Sequence, residues 1–201
     1  MSTKLPDGIE TRTAALLADE CRGEGALTIR GVAAVYDTVT TIGGWFRERI
    51  ARGAFRSALA RGDDVRALVN HDPNLLLGRT TNGTLKLDDR DDGLHYEITL
   101  PNTQAGRDLH ELVRRGDINQ SSFGFRVLKE APLERGQGDE LPLRTIEDVE
   151  LYDVSPVTYP AYPTTSVSAR SAAAALAPPA DRARQLEVVK VWRMKRERDE
   201  A

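Results

Sequence analysis

Between residues 26 and 154 the apolar residues come in short stretches broken by Gly, Asp and Pro, and only two stretches keep a helical spacing. That punctuation restricts the chain to a sheet of short strands with few helices on it. Strands are predicted at 26–36, 65–69, 77–87, 94–100, 122–128 and 145–154, with Gly31 marking a bulge or close approach in the first. Tyr96, Ile98 and Leu100 share one parity, so one face of their strand is buried. Residues 38–45 read as a turn-rich loop and 130–141 as a polar one, while Asp-Pro at 72–73 takes the chain out of regular structure.

A first helix starts near Gly53, with Phe55 and Leu59 on one side and Gly62 as its stop. A second follows the cap Thr103, carries Leu109, Leu112 and Val113 at helical spacing, and ends near Gly116. The fold class is α+β, built around a mainly antiparallel sheet or small barrel with short helices beside it.

The organisation predicted is a flexible arm at 1–25, one domain at 26–165, a Ser/Ala/Pro-rich linker at 166–180 and a charged tail at 181–201. The tail has Leu186 and Val189 along one side of a helix, a thin apolar face that suits either docking or disorder. A net charge of -3 gives no basic footprint for nucleic acid. Cys21 is the single cysteine, which excludes an internal disulfide and a Cys-rich zinc framework and suits a reducing compartment. No stretch approaches the roughly 20 apolar residues that span a bilayer, so a cytoplasmic protein without a membrane partner is expected.

Three histidines limit the search for a general base. His110 falls on the solvated side of the second helix, and His95 has the parity opposite to Tyr96 and Ile98; both read as surface residues. His71 closes an apolar strand ahead of an Asp-Pro turn, where a rigid element presents its end, although a capping role explains it too. In the run Asn119-Gln120-Ser121-Ser122-Phe123-Gly124-Phe125, Ser122 and Gly124 face one way and Phe123 and Phe125 the other, into the core. A serine beside a small residue is accessible to a carbonyl, so Ser122 is the candidate nucleophile. Ser121 has the parity of the phenylalanines and reads as structural.

Asp153 shares the apolar parity of Val149 and Leu151, and a carboxylate there needs a partner. His71 is one candidate; Arg126 or Arg144 is the other. Glu147, on the same parity, is the alternate carboxylate.

Taken in order, several motifs resemble the prohead proteases of tailed bacteriophages, capsid maturation serine proteases related to the herpesvirus assembly protease. They are Gly31-Val32-Ala33-Ala34-Val35-Tyr36, Gly53-Ala54-Phe55, Asn70-His71-Asp72, Ala105-Gly106-Arg107-Asp108-Leu109, Ser121-Ser122-Phe123-Gly124-Phe125 and Asp153-Val154-Ser155-Pro156-Val157-Thr158-Tyr159-Pro160-Ala161. The resemblance runs from about Ile29 to Thr165. Asp153 is shorter than the Glu common there, and Ser121 stands where a larger apolar residue is common.

The resemblance implies a closed β-barrel flanked by helices, with His71 as base, Ser122 as nucleophile and Asp153 as third residue. It also implies an oxyanion hole in the loop near Thr158 to Ala161, and no metal or cofactor. The function implied is a serine endopeptidase that cuts scaffold, or the scaffolding segment of the major capsid protein, inside the immature shell, and itself. Oligomeric state stays open, a homo-oligomer included. The rival classes are a hydrolase of another acyl substrate and a non-enzymatic scaffold or shell component.

Overall fold

The computed structural model describes residues 8–15, 27–136, 138 and 140–159. The linker and tail expected at 166–201 lie outside the described residues, as does most of the arm. Among the described residues, ten strands and two α-helices follow one another as β1 (Glu10–Ala15), β2 (Thr28–Val35), β3 (Thr40–Ile42), β4 (Phe46–Ile50), α1 (Arg56–Arg61), β5 (Arg66–Val69), β6 (Asp72–Arg79), β7 (Leu85–Asp89), β8 (Gly93–Thr99), α2 (Gln104–Arg115), β9 (Gln120–Glu130) and β10 (Leu143–Val157). A short 3-10 turn at Thr80–Asn82 separates β6 from β7.

The protein is mainly β. Both helices form where glycine punctuation allows them. Gly62 and Gly116 take left-handed φ values of 68° and 81° at the C-caps, a conformation open to residues without a Cβ. Thr103 caps α2 by accepting from the Gly106 N–H, and Leu109 and Val113 are its buried side. Leu112, placed on the same apolar side by its spacing, is partly exposed.

β10 organises the sheet. Its one edge carries β9, antiparallel. Its other edge carries β4 over Leu143–Ile146 and then β5 over Asp153–Val154, both parallel. β1 extends the sheet beyond β9, β3 beyond β4, and β6 beyond β5. A second sheet has the order β2-β8-β7. The expected closed barrel is therefore corrected among the described residues: the ladders fall into two sheets, and β2 passes alongside β1 and β9 without joining either. Register shifts interrupt β10 at Ile146/Asp148, Asp148/Val149 and Leu151/Asp153, and irregularities of this kind bend a strand and increase its local twist.

The core lies between the sheets and under α1. Phe55, Phe123 and Phe125 are fully enclosed and pack in series, Phe55 edge-on to Phe123 with centroids 5.4 Å apart and Phe123 stacked on Phe125 at 4.9 Å. Leu94, Tyr96, Ile98 and Leu100 are buried, as the parity predicts. Three expectations change. Gly43, Gly44 and Trp45 make a three-residue connection, with both glycines at positive φ and the Trp45 N–H donating to the Ile42 carbonyl, that converts part of the loop at 38–45 into the β3–β4 hairpin. Pro73 lies inside β6, which among the described residues pairs on one side only, so the missing N–H leaves no ladder bond unmade there. The register shift in the first long strand falls at Val32/Ala34 instead of Gly31.

The largest correction is to the arm, because Glu10–Ala15 is β1, paired with β9 from Glu10↔Phe125 to Ala15↔Gln120. Its charges are paired within the fold. Arg12 is buried over the Phe125 ring and pairs with Glu48 and Glu10, and Arg144 joins Glu10, Glu48 and Glu130. Burial pushes the Glu10 carboxyl up, but Arg12 and Arg144 outweigh it and hold the group below its ordinary value of 4.5.

A carboxylate with a lowered folded pKa contributes stability above its unfolded pKa and loses it as pH falls through the folded value. The melting temperature is thus expected to fall as pH drops below about 4.5, and to fall less in Glu10→Gln, as thermal unfolding at stepped pH would report.

Candidate active site

The ladder of β9 and β10 sets Ser122 opposite Ser155 and Gly124 opposite Asp153. The third group arrives from the corner between β5 and β6, where Asn70 and His71 take φ values of 53° and 58°. Asn enters this left-handed region readily; histidine does so at some cost, and such backbone persists where its surroundings over-determine it.

Here the surroundings are a clasp. The Asn70 N–H donates to the Pro156 carbonyl (3.0 Å), the Thr158 N–H donates to Asn70 Oδ1 (2.8 Å), and Asn70 Nδ2 donates to Thr158 Oγ1 (3.2 Å). The corner is thereby tied to the end of β10.

His71 Nδ1 lies 2.6 Å from Asp153 Oδ1, and His71 Nε2 lies 2.7 Å from Ser122 Oγ. A carboxylate facing Nδ1 makes that nitrogen the donor, which leaves the Nε2 lone pair for the serine hydroxyl. The Ser122 O–H then donates to Nε2. Exposure follows the same order: the His71 side chain is 16% accessible, Asp153 2%, and Ser122 is fully enclosed. An arrangement of this kind lets an imidazole take a proton from a hydroxyl while a fixed anion stabilises the resulting imidazolium.

Gly124 has a reason different from the one its sequence neighbourhood suggests. A Cβ there would lie far inside van der Waals contact of Asp153 Oδ2, 3.3 Å from Asp153 Cγ and 3.4 Å from Ile9 Cγ2. The glycine admits the carboxylate rather than the approaching carbonyl. Asp153 Oδ1 also accepts from the Ser155 hydroxyl at 2.7 Å, and Oδ2 is buried without a hydrogen-bond partner among the described residues.

The competing partners of Asp153 are engaged elsewhere. Arg126 pairs with Glu150, Arg144 belongs to the cluster around Glu10 and Glu48, and Glu147 pairs with Lys129 at 2.8 Å. His95 Nε2 meets Asp92 Oδ1 at 2.9 Å. His110 is half-buried, contrary to its surface reading, with Nε2 enclosed and unpartnered among the described residues.

Ser121 is buried and shares a 2.6 Å hydrogen bond with the Tyr96 hydroxyl. Of the residues expected to form an oxyanion hole, Thr158 gives its N–H to Asn70, and 160 and 161 lie outside the described residues.

Sequence reasoning passed over Ser155 and the Asn70 clasp. The signal for Ser155 was its parity: Val149, Leu151, Asp153 and Ser155 face one way, so two polar residues follow each other on an apolar strand face. Replacing Asn70 with alanine removes the two side-chain bonds of the clasp, leaves the backbone N–H to Pro156, and puts a Cβ-only residue at positive φ. The expected result is a loss of about 1–2 kcal/mol in chemical denaturation.

No curated protein matches the sequence. Among solved structures, the capsid assembly protease gp21 of bacteriophage T4 is similar at 10% identity, covering 74% of this chain and 96% of that chain, with a TM-score of 0.49. The sequence itself matches the family described as Caudovirus prohead serine protease over residues 13–178 of 201. With that match spanning most of its length, the chain belongs to the Caudovirus prohead serine protease family.

Proposed function

We propose that this protein is a serine endopeptidase that works in the assembling prohead inside the host cell. Its substrates are the scaffold protein or the scaffolding segment of the major capsid protein, and its own chain. The observation that carries the reading is the doubly bonded imidazole, 2.7 Å from the Ser122 hydroxyl and 2.6 Å from the Asp153 carboxylate. Family membership supports the same reading from the whole sequence.

Ser122 Oγ attacks the scissile carbonyl as His71 Nε2 takes its proton. The tetrahedral intermediate collapses as His71 returns that proton to the leaving amine, giving an acyl-enzyme on Ser122. Water, deprotonated by the same nitrogen, then releases the acyl group. Asp153 holds the imidazole in the tautomer that accepts at Nε2 and faces the imidazolium in both half-reactions. The shorter Asp, in place of Glu, reaches because its strand neighbour is a glycine.

The test is mass spectrometry of the full chain, alone and co-expressed with its capsid protein, as wild type and Ser122→Ala. Discrete fragments in the wild type that vanish in the variant are expected. Fragments common to both, or none under conditions where shells assemble, would overturn the proposal.

A further inference from the structure

Asp153 carries a puzzle that the His71 contact leaves open. Its Oδ1 receives two hydrogen bonds, from His71 Nδ1 at 2.6 Å and from Ser155 Oγ at 2.7 Å. Its Oδ2 receives none among the described residues and is pressed against the Gly124 backbone, near Ile9. A buried carboxylate held by one imidazole alone is free to turn about Cβ–Cγ and to exchange the oxygens facing that imidazole. A second donor on the same oxygen removes that freedom.

Ser155 is fully enclosed and sits in register with Ser122, on the strand face that carries Asp153. A buried hydroxyl requires a partner, and many adjacent backbone carbonyls satisfy that need locally. Ser155 instead spends its proton on a charged group two residues away, the stronger acceptor.

We propose that Ser155 is a positioning residue, whose hydroxyl clamps the Asp153 oxygen that faces His71 and so keeps the imidazole aligned on Ser122. The proposal rests on the serine endopeptidase reading and adds a fourth side chain to it. Ser155 touches neither substrate nor the transferred proton; it acts through Asp153. When His71 becomes an imidazolium, the clamped Oδ1 is already in line with Nδ1–H, and no carboxylate rotation accompanies the proton transfer. Without the clamp, the carboxylate samples orientations in which Nδ1 loses its acceptor, and each of these misplaces Nε2 relative to the nucleophile.

The experiment uses the full chain and diisopropyl fluorophosphate, a probe of serine activation that needs no knowledge of the cleavage site. Ser122 Oγ displaces fluoride at phosphorus, and His71 receives the hydroxyl proton. Intact-mass time courses at several concentrations separate the limiting rate of modification from the apparent affinity, for wild type, Ser155→Ala and Ser155→Thr, with melting temperatures measured alongside.

For Ser155→Ala, a limiting rate lower by about 10- to 100-fold is expected, with affinity unchanged and the rate restored in Ser155→Thr. A wild-type rate in Ser155→Ala overturns the positioning role. Equal losses in both variants that track a fall in melting temperature overturn it too, because that is the pattern of a packing residue. Absence of any Ser122 adduct in the wild type overturns the endopeptidase reading beneath it, an outcome distinct from the other two.

Discussion

His71→Ala is expected to lower kcat by about 10⁴- to 10⁶-fold while the chain still folds, a loss measured by single-turnover cleavage of a peptide mapped from the processed sites. The magnitude separates the readings. A histidine that only satisfies Asp153 contributes roughly 1–3 kcal/mol to stability, and its removal affects activity through the folded fraction alone. A base that shuttles the serine proton contributes to every transition state on the path. His71→Ala combined with Ser122→Ala is therefore expected to be little worse than either variant, because the two act as one unit. Circular dichroism and melting temperature check that the fold persists, as the partial exposure of the imidazole suggests it will.

Gly124→Ala is expected to disable the site from the opposite side of the carboxylate. Its added methyl group collides with Asp153 Oδ2 and meets Ile9 Cγ2 at 3.4 Å, in a strand enclosed on both faces. The carboxylate has no room to yield, since His71 and Ser155 hold its other oxygen. Either those hydrogen bonds break or β9 and β10 move apart, and overpacking of this kind costs about 1–3 kcal/mol. Activity is expected to fall by about 10²-fold or more, beyond what the fall in stability explains, because the displaced group is the one that orients His71. Chemical denaturation and a peptide assay on the same preparation check both parts; near-wild-type activity would show that Asp153 does not orient the imidazole.

Much of this arrangement was legible in the residues. Period-two runs around Tyr96, Ile98 and Leu100 gave β8 and its inward face, and the stops Gly62 and Gly116 bounded both helices. A carboxylate at an apolar parity pointed to Asp153 and to its need for a partner, with His71 or an arginine left open as that partner.

What stayed hidden has physical causes. β1 was disguised because Glu10 and Arg12 look like solvated charges, and only the distant Glu48 and Arg144 reveal that they are neutralised within the fold. The β3–β4 hairpin rests on Gly43-Gly44, a turn signal flanked by strands too short to show a period. Neither the division of the ladders into two sheets nor the register shifts of β10 is announced by any local pattern. Gly124 was noticed for its size, but the group that needs the space comes from the neighbouring strand and becomes visible only with the register.

Peptide mapping of the full chain after reaction with a fluorophosphonate tests the central claim most directly, since it reports which hydroxyl is activated and by what. Our account predicts a single adduct on the peptide containing Ser121 and Ser122, localised to Ser122 by fragmentation and absent from His71→Ala. An adduct on another residue, or one on Ser122 that forms equally fast without His71, would contradict it.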